Sequence, residues 1–330
     1  MPPYDHVVLL GRFQPVHDGH AAALRRALAL GREVVVLIGS ADAPVSARDP
    51  FSFDERAAML RAAAGADAGR LSVRPVVDHL YNEDAWRAEV QTALAGPAGS
   101  VALIGREGAD AWRDAFPKWA KVDLAPVEAP SADDLRRQLF SDDPEALKGV
   151  LPAAVLDLLH THRTSDAFAY AAEEWRQLEA YRQAWSVAPY PPVFVTVDSV
   201  VVCDAHLLLV ERAGQPGRGL WALPGGFLDP DETTLAAAVR EVGEETGLAA
   251  DMLEGALVGR EVFDAPDRSL RERTVTHAFR FDLPPQPLPT VAGADDAAQA
   301  RWIPLAEVRR MRGRMFEDHY FIVERLLGLA

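Results

Sequence analysis

Cysteine is nearly absent. Cys203 is the single one in 330 residues, which excludes an internal disulfide framework and suits a reducing compartment. Its neighbours Val201 and Val202 read as strand, so a buried thiol is expected rather than a nucleophile. No apolar run approaches the roughly 20 residues that span a bilayer. The first residues, Met1 to His6, lack the basic start and apolar stretch of a secretory signal. A cytoplasmic location is therefore expected, with no membrane partner. Positive charge is also short: 34 Lys and Arg stand against 49 Asp and Glu, for a net charge of −15. That balance argues against a nucleic-acid partner. It leaves nucleotides open, since a few arginines and metal ions can hold phosphates in an acidic protein. No Gly-x4-Gly-Lys-Ser/Thr loop and no internal repeat occur. What remains is 49% hydrophobic and 25% charged, the make-up of a soluble globular chain long enough for two domains.

The first half alternates strand and helix. Apolar runs at 6–10, 33–38, 71–77 and 101–104 read as strands, and 19–30, 53–64 and 86–94 as helices. Near-continuous apolar strands between helices predict a doubly wound α/β domain with a parallel sheet. Residues 150 to 188 read as mainly helical. Phe168, Ala171, Trp175, Leu178, Tyr181 and Trp185 form the apolar stripe of a connecting helix. Ala188-Pro189-Tyr190-Pro191-Pro192 then breaks helix and marks a boundary. Strands at 193–202, 207–210, 257–263 and 274–281, one helix near 240 and a last one at 316–327 predict an α+β domain. The expected division is 1–160, a helical linker 161–188, and 189–330.

Leu10-Gly11-Arg12-Phe13-Gln14-Pro15-Val16-His17-Asp18-Gly19-His20 lies between the first strand and the first helix. Free backbone N–H groups and the helix dipole at such a junction favour phosphate. His17 and His20, three apart, can meet charge growing on it. This wording resembles the nucleotidylyltransferases with a His-x-x-His signature, and within them the archaeal-type NMN adenylyltransferases. Ile38-Gly39-Ser40, Arg48-Asp49-Pro50-Phe51, Glu55-Arg56, Val77-Asp78, Ile104-Gly105 and Ser131 to Arg136 extend the likeness. The resemblance implies a Rossmann-like fold and direct attack of the NMN phosphate on the α-phosphate of ATP, giving NAD and pyrophosphate. By it, His17, His20 and Arg136 are catalytic, with Arg12 and Arg48 also neutralising phosphates. Trp86 would stack on the nicotinamide ring, and Asp78 and Asn82 would orient it. Gly11, Phe13, Gly105 and Ser131 join the substrate contacts. One departure stands out. The family's last motif, Ser-x-Thr-x-x-Arg, reads Ser131-Ala132-Asp133-Asp134-Leu135-Arg136 here. A carboxylate at Asp133 repels the phosphate that a hydroxyl would serve, and Ser131 before acidic residues is also an ordinary helix cap.

Gly226, Glu232 and Arg240-Glu241-Val242-Gly243-Glu244-Glu245-Thr246-Gly247-Leu248 carry the second motif. On a helix, Glu241, Glu244 and Glu245 share one face and repel. Mg²⁺ is the usual remedy where phosphates are the substrate, with Mn²⁺ an alternative. The spacing is that of the Nudix box, and this half resembles the Nudix hydrolases, as does Leu220-Trp221-Ala222-Leu223-Pro224-Gly225 before it. The resemblance implies Mg²⁺-dependent cleavage of a nucleoside diphosphate derivative. Glu241, Glu244 and Glu245 would hold metal, Glu244 or Glu245 would serve as base, Arg240 and Glu232 would form a bracing ion pair, and Trp221 would touch substrate. The stretch 263–274 resembles that of ADP-ribose hydrolases, and makes Arg271 and Arg273 candidates to grip phosphate or ribose. Those enzymes carry Gly where this chain has Glu272.

The order of the two halves resembles a bifunctional bacterial family that makes NAD and hydrolyses ADP-ribose to AMP and ribose 5-phosphate. ATP, NMN, NAD and ADP-ribose are then the expected partners, and a homo-oligomer is left open. Three alternatives stand beside it. One is a Nudix hydrolase of another nucleoside diphosphate derivative with an inactive or repurposed transferase-like domain. Another is a non-enzymatic Nudix ligand sensor. The third is a cytidylyltransferase acting on a different phosphomonoester.

Overall fold

A computed structural model describes residues 2–96, 99–105, 111–124, 130–143 and 145–329. Its contacts divide the chain into two units, Met1–Ala172 and Glu173–Ala330. The division falls inside one helix, within the span expected as a linker.

The first unit is built on β1 (Tyr4–Gly11), β2 (Gly31–Ile38), β3 (Leu71–Pro75), β4 (Val101–Gly105) and β5 (Ala120–Asp123), all parallel, in the order β3-β2-β1-β4-β5. Successive side chains point to opposite faces, and both faces are covered. Val7, Leu9, Val34, Val36, Ile38, Ala102 and Ile104 enter one core. Val8, Val35, Leu37, Val101 and Leu103 enter the other. Two-sided burial explains why these strands read as unbroken apolar runs. Helices α1 (Asp18–Leu30), α2 (Phe53–Ala64), α3 (Glu83–Ala93), α4 (Ala132–Leu139) and α5 (Ala153–His162) complete the unit, and α6 (Asp166–Trp185) crosses the division. The fold is the doubly wound one expected. Its strand order reverses between β1 and β4, where such sheets open a crevice at the strands' carboxyl ends.

The second unit holds a mixed sheet in the order β10-β11-β6-β7-β12. Its strands are β6 (Val193–Cys203), β7 (His206–Arg212), β10 (Leu257–Phe263), β11 (Arg273–Asp282) and β12 (Ala297–Pro304). Only β11 and β6 run parallel; the short β8 (Trp221–Ala222) and β9 (Gly225–Phe227) pair with β7 and β6. Helix α7 (Thr234–Thr246) lays Ala237, Ala238 and Val242 on this sheet. Thr233 caps its start and Gly247, at φ +72°, ends it. Cys203 is buried in β6 as expected. The one-turn α8 (Leu305–Val308) and then α9 (His319–Leu327) close the chain.

Boundaries shifted where caps and turns decide. Helix α3 begins three residues before Trp86 because Asn82 caps it, and α9 begins at His319 because Phe316 donates its N–H to Trp221. Among the described residues no helix is long and apolar enough to cross a membrane.

Candidate functional sites

In the first unit, β1 delivers the chain to a turn and α1 receives it. The His17 imidazole Nδ1 accepts the N–H of Gly19 at 3.1 Å and of His20 at 3.4 Å. The His20 Nδ1 accepts the N–H of His17 at 3.4 Å. The two histidines thus form a reciprocal cap on α1, and their rings stack with centroids 3.7 Å apart. With both Nδ1 atoms accepting, a neutral ring carries its hydrogen on Nε2. Each imidazole is then a donor beside the dipole of α1, which suits a growing phosphate charge. The Phe13 ring meets His20 edge-on at 4.8 Å and packs against Gly11, where an added Cβ would stand 2.9 Å from it.

Gly11, Phe13, His17, His20, Gly105 and Ser131 line one cavity of about 790 Å³ at the crevice between β1 and β4. A second group gathers around Asp49, which is buried. Burial raises its carboxyl, while Arg12, Arg48 and Arg56 oppose that rise and Asp78 adds to it. Gln14 ties the two loops by bonds to Asp49 and Phe51. Asn82 spends its carboxamide oxygen on capping α3, at 3.1 Å from the Ala85 N–H. Trp86 packs with Leu10 against the second core; neither Asn82 nor Trp86 lines the cavity of the histidines. Arg136 pairs with Asp133 at 2.7 Å, so the carboxylate in the hydroxyl's slot engages the arginine expected to serve phosphate. Ser131 caps α4 through the Asp134 N–H at 3.1 Å and lines the cavity as well.

Arg56 belongs to the likeness in wording, but the sequence assigned it no role. It is 1% exposed and donates to the carbonyls of Arg12, Gly39, Ser40 and Ser52. It braces the turn from behind, a role that appears only once the chain is folded. Arg26 also lines the cavity and was overlooked.

In the second unit, Arg240 is the hub of the acidic helix. It binds Glu232 at 2.6 Å, Glu241 at 3.0 Å and Glu244 at 2.8 Å. The bracing pair with Glu232 is therefore present. Glu241 and Glu245 are buried, and Glu244 is about half exposed. Glu245 accepts the Gly225 N–H at 3.0 Å. Burial pushes its carboxyl up to about 8, with Glu241 and Asp198 adding to the rise. Burial likewise raises Glu241. A cleft beside this face is lined by Asp198, Arg212, Gly225, Gly226, Glu245 and Arg271, among others. Trp221 does not line it; its side chain is buried. Arg273 also lies outside the cleft, bonded to the Ala265 carbonyl at 3.2 Å.

Among the described residues no three or more His, Cys, Asp or Glu already form a metal cage. The donors still suit a hard cation. They are carboxylate oxygens on one helical face, two of them raised by burial, and a cation would relieve the charge of their ionised forms. A magnesium site needs only one or two carboxylates when water and phosphate oxygens supply the rest.

The chain matches the NUDIX domain family over residues 193–326 and the cytidylyltransferase-like family over residues 8–87. It is 33% identical to a bifunctional NMN adenylyltransferase/ADP-ribose pyrophosphatase from Francisella tularensis, solved with AMP and a manganese ion. The two align over 98% of this chain and 99% of that one, with a TM-score of 0.88. The chain belongs to the bifunctional NMN adenylyltransferase/ADP-ribose pyrophosphatase family. Each half has relatives of its own. A nicotinamide/nicotinic acid mononucleotide adenylyltransferase from Acinetobacter baylyi is 28% identical over 53% of this chain and 96% of its own length. An ADP-ribose pyrophosphatase from Methanocaldococcus jannaschii is 35% identical over 36% of this chain and 65% of its own length.

The family motifs do not mention a buried network that this member carries under its hydrolase cleft. Arg268, 3% exposed, makes two bonds to Asp318, at 2.9 and 2.8 Å. Asp198 accepts from Thr276 at 2.6 Å and lies 3.7 Å from His319 Nε2. His319 Nδ1 in turn accepts the Leu223 N–H at 2.9 Å. Burial lowers His319, which keeps the ring neutral and puts its hydrogen on the nitrogen facing Asp198.

Proposed function

We propose that the chain joins NMN and ATP into NAD and pyrophosphate in its first unit, and hydrolyses ADP-ribose to AMP and ribose 5-phosphate in its second. The alignment with the Francisella enzyme along both units carries this reading. In the first reaction an NMN phosphate oxygen attacks the α-phosphorus of ATP, and the bond to pyrophosphate breaks. His17 and His20 donate from Nε2 to the phosphates. Arg12, Arg48 and Arg136 offset their charge, while Asp78, Asn82 and Trp86 orient NMN. The chain's part is positioning and charge stabilisation.

In the second reaction water attacks a phosphorus of the diphosphate and the bridging oxygen leaves with one phosphate. Glu241, Glu244 and Glu245 would hold divalent cations, Mg²⁺ or Mn²⁺. When bound, these supply charge neutralisation and Lewis acidity. Glu244 or Glu245 takes the water's proton, and Arg271 grips a phosphate. Arg240 holds Glu232, so the loop from Gly226 stays against α7.

The test uses the full chain. NAD formation from NMN and ATP, and AMP release from ADP-ribose, are each measured with and without added Mg²⁺ or Mn²⁺. Both products, each requiring the cation, are expected. A folded chain that releases no AMP from ADP-ribose sinks the hydrolase assignment. One observation favours a second reading, in which the first unit is inactive: Asp133 holds Arg136. Absence of NAD, with its recovery in Asp133→Thr, selects that reading.

A further inference from the structure

One support of the hydrolase cleft comes from outside the stretch that matches the NUDIX family, which begins at residue 193. Glu174 precedes that stretch, on the part of α6 that belongs to the second unit. It is 3% exposed, and its Oε1 accepts the Gly217 N–H at 2.8 Å. A carboxylate bonded to a main-chain donor makes a charge-assisted contact, stronger than a neutral one. The adjacent pair of Glu173 with Arg218, at 2.9 Å, ties the same loop to α6, but both partners reach solvent and such pairs add little. The loop joins β7 to β8 and closes on itself. Arg212 N–H donates to the Leu220 carbonyl and Gly219 N–H to the Arg212 carbonyl, each at 2.9 Å. Gly217 takes φ +79°, and a Cβ there would collide with the Phe316 ring.

The Gly217 N–H and the Pro216 carbonyl belong to one peptide unit. That unit is planar and trans, so the two groups point in opposite directions and move together. On its other side the Pro216 carbonyl accepts Arg212 Nε at 2.7 Å. The Arg212 guanidinium lies 4.3 Å from the Phe316 ring centroid, and both residues line the cleft with Glu245. A guanidinium carries one donor on Nε and four on its two Nη atoms. The bond from Nε and the contact with Phe316 fix its plane. Among the described residues no hydrogen bond engages the Nη groups, which leaves them for an anion. We infer that Glu174 is a positioning residue for the hydrolase: through the Pro216–Gly217 peptide it holds Arg212 in the cleft, where that cation offsets phosphate charge. The inference rests on the hydrolase reading and adds to it a carboxylate that acts only through other residues.

In the full chain, Glu174→Ala frees that peptide unit. KM for ADP-ribose should rise on the order of tenfold, as loss of one charge-assisted bond implies, with kcat little changed. Glu174→Gln keeps an oxygen for the Gly217 N–H and should restore KM. Glu174→Ala combined with Arg212→Ala should raise KM no further than Arg212→Ala alone, because residues that act in series do not add. A role confined to stability would lower the unfolding temperature and leave KM unaltered in assays below it. Unaltered KM in Glu174→Ala, or two effects on KM that multiply, overturns the inference. Where Glu174→Ala does not fold, Glu174→Met fills the space of the carboxylate and is read in the same way. Should the unaltered chain fail to hydrolyse ADP-ribose, the reaction falls but the placement of Arg212 is still measured, by phenylglyoxal labelling mapped with mass spectrometry. Faster labelling of Arg212 in Glu174→Ala, with the unaltered rate in Glu174→Gln, upholds the placement. Equal rates in all three chains overturn it.

Discussion

Gly225 and Gly226 are adjacent, yet a methyl group on each meets a different obstacle. At Gly225 it would collide with the Val197 carbonyl oxygen, which belongs to the main chain of β6. At Gly226 it would collide with the carboxylate end of Glu241, which can swing away. Gly225→Ala should therefore cost stability, about 1–3 kcal/mol as overpacking does, seen in thermal or urea unfolding. Gly226→Ala should leave unfolding nearly unchanged and weaken Mg²⁺ activation on the order of tenfold, as displaced supporting groups do, seen in a metal titration of hydrolysis. Glu245 permits a prediction in pH. Its carboxyl is raised from 4.5 to about 8, chiefly by burial. Between those values the folded chain keeps a proton that the unfolded chain has released, so stability falls as pH rises through that window. Cation binding needs the ionised form and strengthens over the same range. In chelator, the unfolding temperature of the second unit should drop from pH 5.5 to 8. Added Mg²⁺ should reverse the drop, and Glu245→Gln should flatten it. A slope in Glu245→Gln equal to that of the unaltered chain would assign the effect to another group.

The elements that sequence alone located are those with long, strongly patterned runs. Strands β1, β2 and β4 stand where their apolar runs put them, the His-x-x-His segment lies between β1 and α1 as expected, and helix α7 stands where the Nudix box put it. The elements it missed are short or lie at an edge. Strand β5 has four residues that alternate half-buried and exposed, which leaves too little apolar signal to read. The candidate residues divide in the same way. Those on a motif, such as His17 with His20, meet in one cavity because a single turn carries them. Trp221 and Arg273 were inferred from likeness of wording, and tertiary packing took their side chains away from the cleft. The network of Arg268 and Asp318 joins positions fifty apart, so no local pattern announces it. Its consequence belongs to the β8–β9 turn. Leu223 N–H is held by His319, Pro224 carbonyl by Ser199, and Gly225 N–H by Glu245. Removing the imidazole in His319→Ala leaves a buried N–H unpaired, at a cost of about 1–3 kcal/mol. It should also loosen the turn that sets Glu245. The expected result is a lower unfolding temperature together with reduced kcat for ADP-ribose hydrolysis. Loss of stability with kcat unaltered would confine His319 to a structural role.

At the scale of the whole molecule, two chemistries of opposite sense share one chain, one joining nucleotides and the other cutting them. Each unit buries its own core: Val7 to Phe168 supply the first, and Val197 to Leu283 a core of the second. Among the described residues, those that line the cavity of His17 and His20 belong to the first unit and those that line the cleft of Glu245 to the second. With no lining side chain in common, a conservative change at one site has no direct contact through which to alter chemistry at the other. Glu245→Gln keeps the shape of the buried carboxyl and its bond to the Gly225 N–H, but removes a charge that hydrolysis requires. It should lower AMP release from ADP-ribose by a hundredfold or more, on the order of what one electrostatic group supplies in a desolvated site, while NAD formation stays near its unaltered rate. His17→Ala should do the reverse, because it strips both the α1 cap and a phosphate donor from the first cavity. Paired assays on the same preparations read both activities at once. If either substitution depresses both reactions equally in a folded chain, the sites are coupled, and the picture of two self-contained units gives way to one of a single linked machine.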